Sequence, residues 1–346
     1  MAYPDIRLGL CCHNLDLKYN HGVFTGRTIR MDTIKKFGLK YLIEVANKNL
    51  DDLYRLIGWC PPHGIYVYRI SSDIIPHGSN PELLDIPGGD KYMTLSYFKD
   101  KLKKVGDLAN KLGVRVTFHP GQYNQVGTPN PTVFEKTRLD LLMHAKFLDY
   151  MNAPEDSIII VHGGGTYGDK PATLVRWEEQ FKKLPEPVRR RLVLENDEKG
   201  YSVDDLMPMC KRIGIPVLFD IFHYYCYEKK FGKDAQRPID EILPEIFKQW
   251  GTKRPKFHVS EQGQGCLGAH STIVKSIPEI MMGIPKKYNK QIDIMIEAKG
   301  KEVAVAHLYK TYPALKPKGA KDLPDRIPRK AQKDIKIDDP SILSDQ

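Results

Sequence analysis

The chain has 346 residues, 41% of them hydrophobic and 28% charged, so it can bury one large core. Its formal net charge of +10 favours a polyanionic partner such as nucleic acid, although solubility alone could account for this excess. The six cysteines form no CxxC pair or zinc-ribbon spacing, and the sequence contains neither a signal-peptide pattern nor a membrane-spanning apolar run. We therefore expect a soluble intracellular protein, cytoplasmic or nuclear, that is neither secreted nor inserted in a membrane.

Strands and helices are predicted to alternate along the chain. Short β-branched or aromatic runs predict strands over 6–10, 65–70, 116–118, 157–161, 191–195, 216–220, 255–259 and 292–297. Amphipathic periodicity predicts helices over 29–58, 98–112, 133–151, 174–184, 203–213, 239–250, 271–282 and 302–309. Eight strands that alternate with helices are what a single (β/α)8 TIM barrel requires, whereas a doubly wound sheet usually has fewer.

The end of the chain differs in composition from the rest. Residues 1–310 are assigned to the barrel, whereas residues 311–346 are rich in Pro, Lys and Asp and contain few apolar side chains. This composition predicts an extended or partly disordered tail. Its basic part, 316–336, could contact nucleic acid, and a solvated tail is an equally good interpretation.

Histidines and acidic residues recur where the predicted strands end. In a parallel barrel the carboxyl ends of the strands form one face, so residues that are distant in sequence meet there. Six of the eleven histidines and three acids occupy such positions. The residues are His77, His119, His162, Glu195, Asp220, His223, His258, His270 and Glu297. This pattern predicts a metal site.

The types of ligand narrow the choice of metal. Imidazole and carboxylate groups without thiolates suit Zn²⁺, Mn²⁺, Fe²⁺ or Co²⁺ better than the all-oxygen sites of Ca²⁺ or Mg²⁺. There are more candidates than one ion with an open position needs, so we expect two or three divalent ions. Three such ions would outweigh three carboxylates and leave positive charge for a phosphodiester. The interpretation is phosphate-ester hydrolysis in a basic protein.

Two glycine-rich stretches offer competing interpretations. Residues 263–268 match GxGxxG, but this segment follows the seventh strand, contains no dinucleotide-type acidic strand end and precedes His270, so a Rossmann site is rejected. The run His162-Gly-Gly-Gly165 could form an anion-binding nest, although such a run is first of all a permissive turn. It is kept as a secondary hypothesis.

Several motifs, in this order along the chain, resemble the ultraviolet damage endonuclease family. They are Arg69-Ile-Ser-Ser, Pro76-His77, Phe118-His-Pro-Gly-Gln-Tyr123, Val161-His-Gly-Gly, Leu194-Glu-Asn-Asp, Phe219-Asp-Ile-Phe-His223, Lys256-Phe-His-Val-Ser and Glu297. The resemblance extends over residues 5 to 300 and implies a metal-dependent barrel similar to endonuclease IV and xylose isomerase. It also implies a nick immediately 5′ of a cyclobutane pyrimidine dimer or 6-4 photoproduct, leaving a 3′-hydroxyl and a 5′-phosphate.

The resemblance also implies roles for individual residues. Glu195 matches a bridging metal ligand, Lys256 matches a lysine that family members carry in carboxylated form, and His77 resembles an active-site histidine near the scissile phosphate. Glu195, Lys256 and His77 are therefore assigned as catalytic. The implied metal ligands are His119, His162, Glu195, Asp220, His223, His258, His270 and Glu297.

Damaged DNA would be recognised by a different set of residues. Gln122 and Tyr123 match a pair that enters the duplex where the damaged dinucleotide is flipped out, and Asn14 matches a residue of the lesion pocket. An aromatic ring and an amide can fill the space that an extruded base vacates. Leu10 and Tyr224 depart from the family pattern, which puts the shape of the lesion pocket in doubt but not the metal site.

The resemblance leads to an expected cofactor and partner, with alternatives. We expect Mn²⁺ as the metal, with Zn²⁺, Co²⁺ and Mg²⁺ as further possibilities, damaged double-stranded DNA as the partner, and a monomer. An apurinic-site endonuclease of endonuclease IV type and a metal-dependent sugar isomerase remain as alternatives. A non-catalytic DNA-binding protein with a structural metal is disfavoured, because such sites are usually closed by thiolates and hold one ion.

Overall fold

A computed structural model describes residues 5–343, and its eight parallel strands follow one another in chain order around a closed barrel. This confirms the predicted (β/α)8 TIM barrel. The strands are β1 (Ile6–Cys11), β2 (Val67–Ile70), β3 (Arg115–Phe118), β4 (Ile159–His162), β5 (Leu192–Glu195), β6 (Val217–Asp220), β7 (Lys256–Val259) and β8 (Ile292–Ile296). Nearly all of their residues are buried, as expected for a parallel sheet covered by helices.

Within residues 5–343, fourteen α-helices lie between and after the strands, and several of them are single turns. They are α1 (Leu15–His21), α2 (Met31–Phe37), α3 (Lys40–Trp59), α4 (Gly89–Met93), α5 (Lys99–Leu112), α6 (Pro131–Tyr150), α7 (Lys170–Lys183), α8 (Glu186–Arg189), α9 (Val203–Ile213), α10 (Ile221–Phe231), α11 (Ile239–Trp250), α12 (Glu279–Met282), α13 (Ile284–Tyr288) and α14 (Glu302–Thr311). None of the helices within 5–343 is long and apolar enough to cross a membrane.

Two predicted helices differ from those observed. The segment 29–58 forms two helices, because Gly38 has φ +76° and ends α2 by donating its N–H to the carbonyl of Ile34. The prediction of a helix over 271–282 is wrong for its first eight residues, since α12 begins only after Pro278. In this stretch the N–H groups of Lys275 and Ser276 donate instead to Glu261 Oε1, at 2.7 and 3.1 Å.

The described residues form two compact units along the chain. The first unit runs to Val23, resumes over Trp59–Arg69 and continues from Leu194, and the second contains Phe24–Gly58 and Ile70–Val193. In the first unit β1 pairs with β2 and β8, and β5 to β8 pair in order. In the second unit β3 pairs with β4, with Phe118 in register with Ile159.

The chain beyond α14 packs onto the first unit. It contains three short 3-10 helices, and its apolar side chains Leu315, Ile327 and Ile342 are buried. The N–H of Ile327 donates to the carbonyl of Ile342 at 2.8 Å, which joins the middle of this segment to its last described turn. The assignment of a separate domain boundary after residue 310 stays a prediction.

Candidate active site

The first unit presents three buried carboxylates at the carboxyl ends of its strands. Glu195 is the last residue of β5, Asp220 is the last residue of β6, and Glu297 directly follows β8. Their side chains are at most 6% exposed. Burying a charged carboxylate is costly, so each of these three residues requires a cation, hydrogen-bond donors or a bound proton.

His223 lies between two of these carboxylates. Its Nδ1 atom is 3.6 Å from Asp220 Oδ2 and 3.9 Å from Glu195 Oε1. The same Nδ1 atom is 3.0 Å from the carbonyl oxygen of Asn196, to which an N–H at this position would donate. That hydrogen bond would leave Nε2 as the nitrogen with a lone pair, an arrangement typical of metal-ligating histidines.

His258 and His270 extend the cluster to Glu297. His258 Nδ1 is 2.7 Å from Glu195 Oε1 and 3.3 Å from Glu297 Oε1. His270, in the loop after β7, places its Nε2 atom 3.8 Å from Glu297 Oε2. Glu195 therefore contacts both His223 and His258 and occupies the middle of a continuous run of potential ligands in the first unit.

Sequence reasoning missed two charged neighbours of this cluster. Arg69, in β2, forms an ion pair with Glu297 Oε1. Glu198 places Oε2 at 3.8 Å from His223 Nε2. In the sequence, Arg69 is recognisable only as part of the motif Arg69-Ile-Ser-Ser, and Glu198 stands three residues after the strand-end acid Glu195. Both positions were visible, but their contacts are set by the fold.

The surrounding charges shift the pKa values of the buried groups. Burial, reinforced by the carboxylates of Glu195 and Glu297, raises the pKa of Asp220 to about 8 despite the opposing charge of His223. Burial alone would lower the pKa of His223, yet the nearby carboxylates raise it to about 9. Burial also favours neutral Glu297, but Arg69 and His258 hold its pKa well below the usual range. Without metal ions, Asp220 and His223 therefore keep protons at neutral pH.

The donor set fits divalent metal ions. Glu195, Asp220 and His223 can each offer a ligand atom such that the three atoms lie within 4.8 Å of one another. Asp220 Oδ2 is buried and has no hydrogen-bond partner among residues 5–343, which suits an oxygen reserved for a cation. Nitrogen and oxygen donors without thiolates are typical of Mn²⁺, Fe²⁺, Co²⁺ or Zn²⁺ sites.

We expect metal binding to this cluster to release protons. A ligating imidazole must be neutral, whereas His223 remains protonated up to its pKa of about 9 in the metal-free protein. Binding of Mn²⁺ at about pH 7.5 should therefore expel about one proton or more, and the affinity should rise as pH increases towards 9. Calorimetric titration in two buffers of different ionisation enthalpy measures this release, and a proton count of zero would contradict the assignment of His223.

The Asn196 side chain fixes the backbone of the ligand candidate Asp220 through two hydrogen bonds. It donates to the carbonyl of Asp220 at 2.9 Å and accepts from the N–H of Asp220 at 2.8 Å. We expect Asn196→Ala to weaken Mn²⁺ binding by about 10- to 100-fold, because supporting residues orient the ligands. Asn49→Ala is the matched control, since this buried amide also joins backbone groups but belongs to the second unit, whereas Asp220 belongs to the first. Equal loss of Mn²⁺ affinity in both variants would show that Asn196 has no specific part in orienting the metal ligands.

Lys256 is a fully buried lysine in β7. Its positive charge acts on His258 and, together with the larger effect of burial, lowers the pKa of that histidine. An unmodified ammonium here adds positive charge beside the ligands, whereas carboxylation would reverse its sign. The two forms therefore differ in the number of cations that the cluster could hold.

The second unit contributes two strand-end histidines. His119 directly follows β3, and His162 is the last residue of β4. Their imidazole ring centroids are 5.0 Å apart, and both rings are half-buried. The hydroxyl of Ser72 donates to the carbonyl of His119 at 3.0 Å and fixes the backbone there. The structure thus brings these two strand-end histidines close together within this unit.

Gln122 and Tyr123 lie at an exposed turn after β3. Tyr123 is 63% exposed, which is the largest exposed fraction among the large hydrophobic side chains of residues 5–343. A Cβ atom at Gly121 would come within 2.6 Å of the Tyr123 ring, so glycine lets the ring fold over the turn. The Asn124 side chain donates to the carbonyl of Gly121 and to Asp140 Oδ2, at 3.2 and 2.9 Å. The turn therefore leaves most of the Tyr123 ring exposed to solvent while the ring lies against Gly121.

A cavity of about 580 Å³ adjoins this turn within the second unit. Tyr123, His77, Asp73, Lys136 and Asp140 contribute to its lining. His77 lies seven residues beyond the end of β2, with φ +58°, and its Nε2 atom is 2.7 Å from the carbonyl oxygen of Ile29. The cavity thus combines the exposed aromatic ring with a histidine and groups of both charges.

Two further sequence candidates have local structural roles. Asn14 is buried and caps α1 by accepting the N–H of Leu17 at 2.7 Å, while its Nδ2 atom has no hydrogen-bond partner within 5–343. In the glycine run after His162, the N–H of Gly165 donates to Gln125 Oε1 at 2.7 Å. That donor of the hypothetical anion nest is therefore already occupied by a side chain.

Comparison with known proteins agrees with this geometry. A protein of Acanthamoeba polyphaga mimivirus is 38% identical over 312 residues, covering 89% of this chain and 91% of that protein. The UV-damage endonuclease of Schizosaccharomyces pombe is 34% identical over 320 residues, covering 88% of this chain and 50% of that protein. The chain thus spans about half the length of the yeast relative.

Solved structures give the same result for the fold. The crystal structure of SacUVDE matches with a TM-score of 0.74 and 28% identity, covering 90% of this chain and 100% of that one. Endonuclease IV from Thermus thermophilus has a TM-score of 0.54 at 15% identity, covering 89% and 98%, and shares the barrel. The family model described as UV-endonuclease UvdE matches residues 6–323. The chain therefore belongs to the UV-endonuclease UvdE family, a family of endonucleases.

Proposed function

We propose that this protein is a metal-dependent DNA repair endonuclease that nicks UV-damaged duplex DNA. The nick would lie immediately 5′ of a cyclobutane pyrimidine dimer or 6-4 photoproduct and leave a 3′-hydroxyl and a 5′-phosphate. The observation that carries this proposal is the buried run of acids and histidines in the first unit, in a chain of the UvdE family. The net charge of +10 favours a polyanionic substrate.

The proposal includes two or three divalent ions, with Mn²⁺ preferred and Zn²⁺, Co²⁺ or Mg²⁺ as alternatives. Glu195 would bridge ions, because it contacts both His223 and His258. When bound, such ions activate water for attack at phosphorus and neutralise charge on the leaving oxygen. The ligands would be His119, His162, Glu195, Asp220, His223, His258, His270 and Glu297.

Two residues are proposed to act beside the ligands. Lys256, buried in β7, would act in carboxylated form, which places two further oxygen donors near His258. His77 would contact the scissile phosphate from the cavity that it lines. Its imidazole can donate one N–H to the carbonyl of Ile29 and present the other nitrogen to the substrate.

Lesion recognition is assigned to the exposed turn and to Asn14. Tyr123 would stack on neighbouring bases, and Gln122 would fill part of the space left by a flipped dinucleotide. A photoproduct stacks and pairs poorly, so extruding it costs less than extruding an intact dinucleotide. The Oδ1 atom of Asn14 accepts the hydrogen bond that caps α1, and the Nδ2 donor of the same amide could meet a base edge.

An apurinic-site endonuclease of endonuclease IV type is the alternative within the same fold. Such an enzyme would share the barrel, the metal ligands and the nicking reaction, and the likeness to endonuclease IV bears on the fold alone. A sugar isomerase is disfavoured by the net positive charge and by the exposed Tyr123 ring. We also propose that the protein acts as a monomer inside the cell, where its DNA substrate is found.

Three substrates separate these functions in one experiment. The purified protein is incubated with Mn²⁺ and, in parallel, with UV-irradiated duplex, duplex containing abasic sites, or aldoses. We expect metal-dependent nicks in the irradiated duplex. Failure to nick it, together with efficient cutting at abasic sites, would favour the alternative endonuclease. Conversion of aldoses would contradict both endonuclease assignments.

A further inference from the structure

A small cavity in the first unit concentrates positive charge. Its volume is about 330 Å³, and it lies where the loop after β1, the loop after β8 and the C-terminal segment meet. We call it the lysine pocket. Its charged and titratable lining residues are His13, Lys18, Lys299, Lys301, Asp334 and Lys336. Four ammonium groups therefore face one carboxylate.

The C-terminal segment forms one wall of the lysine pocket. The Tyr19 hydroxyl donates to Asp334 Oδ2 at 2.5 Å, and Lys18 Nζ donates to the same hydroxyl at 3.0 Å. Further along, Asp338 accepts the N–H of Thr272 at 2.8 Å and returns its own N–H to the Thr272 hydroxyl at 3.0 Å. These contacts place Lys336, which lies between Asp334 and Asp338, at the pocket.

The lysine pocket keeps an excess of positive charge, although Asp334 lines it and the charge of Lys299 acts on the Asp338 carboxylate, whose pKa is lowered. The side chains of Lys299, Lys301 and Lys336 make no hydrogen bond or ion pair with any residue in the described part of the chain. Burial, together with the charges of Lys301 and Lys18, lowers the pKa of His13 to about 4, so this imidazole is neutral near neutral pH. The pocket thus offers several ammonium donors and a neutral ring to a negatively charged group.

Lys301 adopts a backbone conformation that favours glycine. Its φ is +49° and its ψ is −119°, a region that side chains with a Cβ rarely enter. A glycine would relieve this strain, so a lysine at this position suggests a use for its side chain. The carbonyl of Lys301 also accepts the N–H groups of Ala304 and Val305 in the first turn of α14, which fixes the position of the residue.

The lysine pocket lies beside the residues already assigned to the substrate. His13 comes two residues after β1, and Lys299 comes two residues after Glu297. Asn14 stands between the lining residues His13 and Leu15. In a parallel barrel these positions belong to the face that holds the carboxyl ends of the strands.

We propose that the lysine pocket binds a backbone phosphate of the DNA substrate, an inference that rests on the proposed function. Ammonium groups bind phosphate as point charges, and their contribution is independent of base sequence. The pocket would therefore add affinity for any duplex and help to fix its position, without distinguishing damaged from intact DNA. It also gives the C-terminal segment a role, because Lys336 belongs to that segment.

Lys301→Gly is the most informative variant, because it removes one ammonium group and relieves the backbone strain. Binding of undamaged duplex is followed by fluorescence anisotropy over a series of KCl concentrations. We expect the slope of log affinity against log[KCl] to become measurably shallower, by up to about 0.9, the value for complete loss of one phosphate contact. The thermal midpoint and the bound Mn²⁺ should remain at or above wild-type values.

A second variant and a control complete the test. Lys299→Gln combined with Lys336→Gln should also make the slope shallower, by up to about 0.9. Lys183→Gln combined with Lys248→Gln is the control, since these exposed lysines lie in the last turns of α7 and α11. The control should retain the wild-type slope.

The outcomes separate this proposal from the proposed function. Wild-type slopes in both pocket variants would overturn it, as would saturable binding of inorganic phosphate to the pocket with no change in duplex affinity. Incision of irradiated DNA is measured separately on the wild-type protein. Shallower slopes without any incision would support the lysine pocket and reject the endonuclease, whereas incision with unchanged slopes would reject only the pocket.

Discussion

Replacing Glu195 by glutamine is expected to lower the incision rate on UV-irradiated duplex by about 10³-fold or more. Metal ions contribute several kcal/mol of transition-state stabilisation, and each 1.36 kcal/mol is about tenfold in rate. Glu195 Oε1 contacts both His223 and His258, so the loss of its charge affects the middle of the cluster. Bound Mn²⁺ should fall in parallel, measured by metal analysis of the purified variant.

The fold should survive this substitution. Glutamine has nearly the same shape, can still accept a hydrogen bond from His258 and reduces repulsion with Asp220. Glu245→Gln is the control. Glu245 lies in α11, where its carboxylate pairs with Arg237 and Lys211 and contacts none of the proposed metal ligands. If Glu195→Gln incises DNA at the wild-type rate and keeps its full metal content, Glu195 is not a metal ligand.

Replacing Tyr123 by alanine is expected to reduce the preference for damaged over intact duplex by about 10- to 100-fold. Stacking of a base on an aromatic side chain is worth about 1–3 kcal/mol, and the Tyr123 ring projects from its turn into solvent. Bound metal should remain at the wild-type level, because Tyr123 is not among the proposed ligands. The measurement is a comparison of dissociation constants for matched duplexes with and without one photoproduct.

Two further substitutions make this result specific. Tyr123→Phe retains the ring and should retain the preference, whereas Tyr54→Ala removes an exposed ring from the middle of α3 and should change nothing. If Tyr123→Ala discriminates as well as the wild-type protein, the ring does not probe the lesion. Glu195 and Tyr123 thus test chemistry and recognition independently.

The strand ends could be predicted because they depend on local sequence. Each strand is a short β-branched or aromatic run, and parallel strands that are buried on both faces leave such runs nearly unbroken. Once the runs are placed, Glu195, Asp220 and Glu297 fall at their ends without any further assumption. The barrel topology then predicts that these acids share one face.

Contacts between distant segments could not be predicted in the same way. The ion pair of Arg69 with Glu297 joins β2 to the end of β8, and no periodicity in the sequence encodes that partnership. The same holds for Asn196, whose amide fixes Asp220 on the neighbouring strand. Such pairings depend on strand register, which arises only in the folded barrel.

The prediction of a helix over 271–282 failed for a different reason. Thr272, Ile273 and Val274 are β-branched, which lowers their helix propensity, and Pro278 has no N–H to donate to a helical hydrogen bond and directly precedes α12. Glu261 accepts the backbone N–H groups of this stretch and so replaces helical hydrogen bonds. The apolar spacing alone therefore gave the wrong secondary structure.

The position of the nick on a defined substrate tests the central claim most directly. A duplex carrying a single cyclobutane pyrimidine dimer is labelled on the damaged strand and incubated with the protein and Mn²⁺. We predict one nick, immediately 5′ of the dimer, with a 3′-hydroxyl that a polymerase can extend and a 5′-phosphate. Cleavage at another position, or no cleavage while the same duplex with an abasic site is cut, would contradict it.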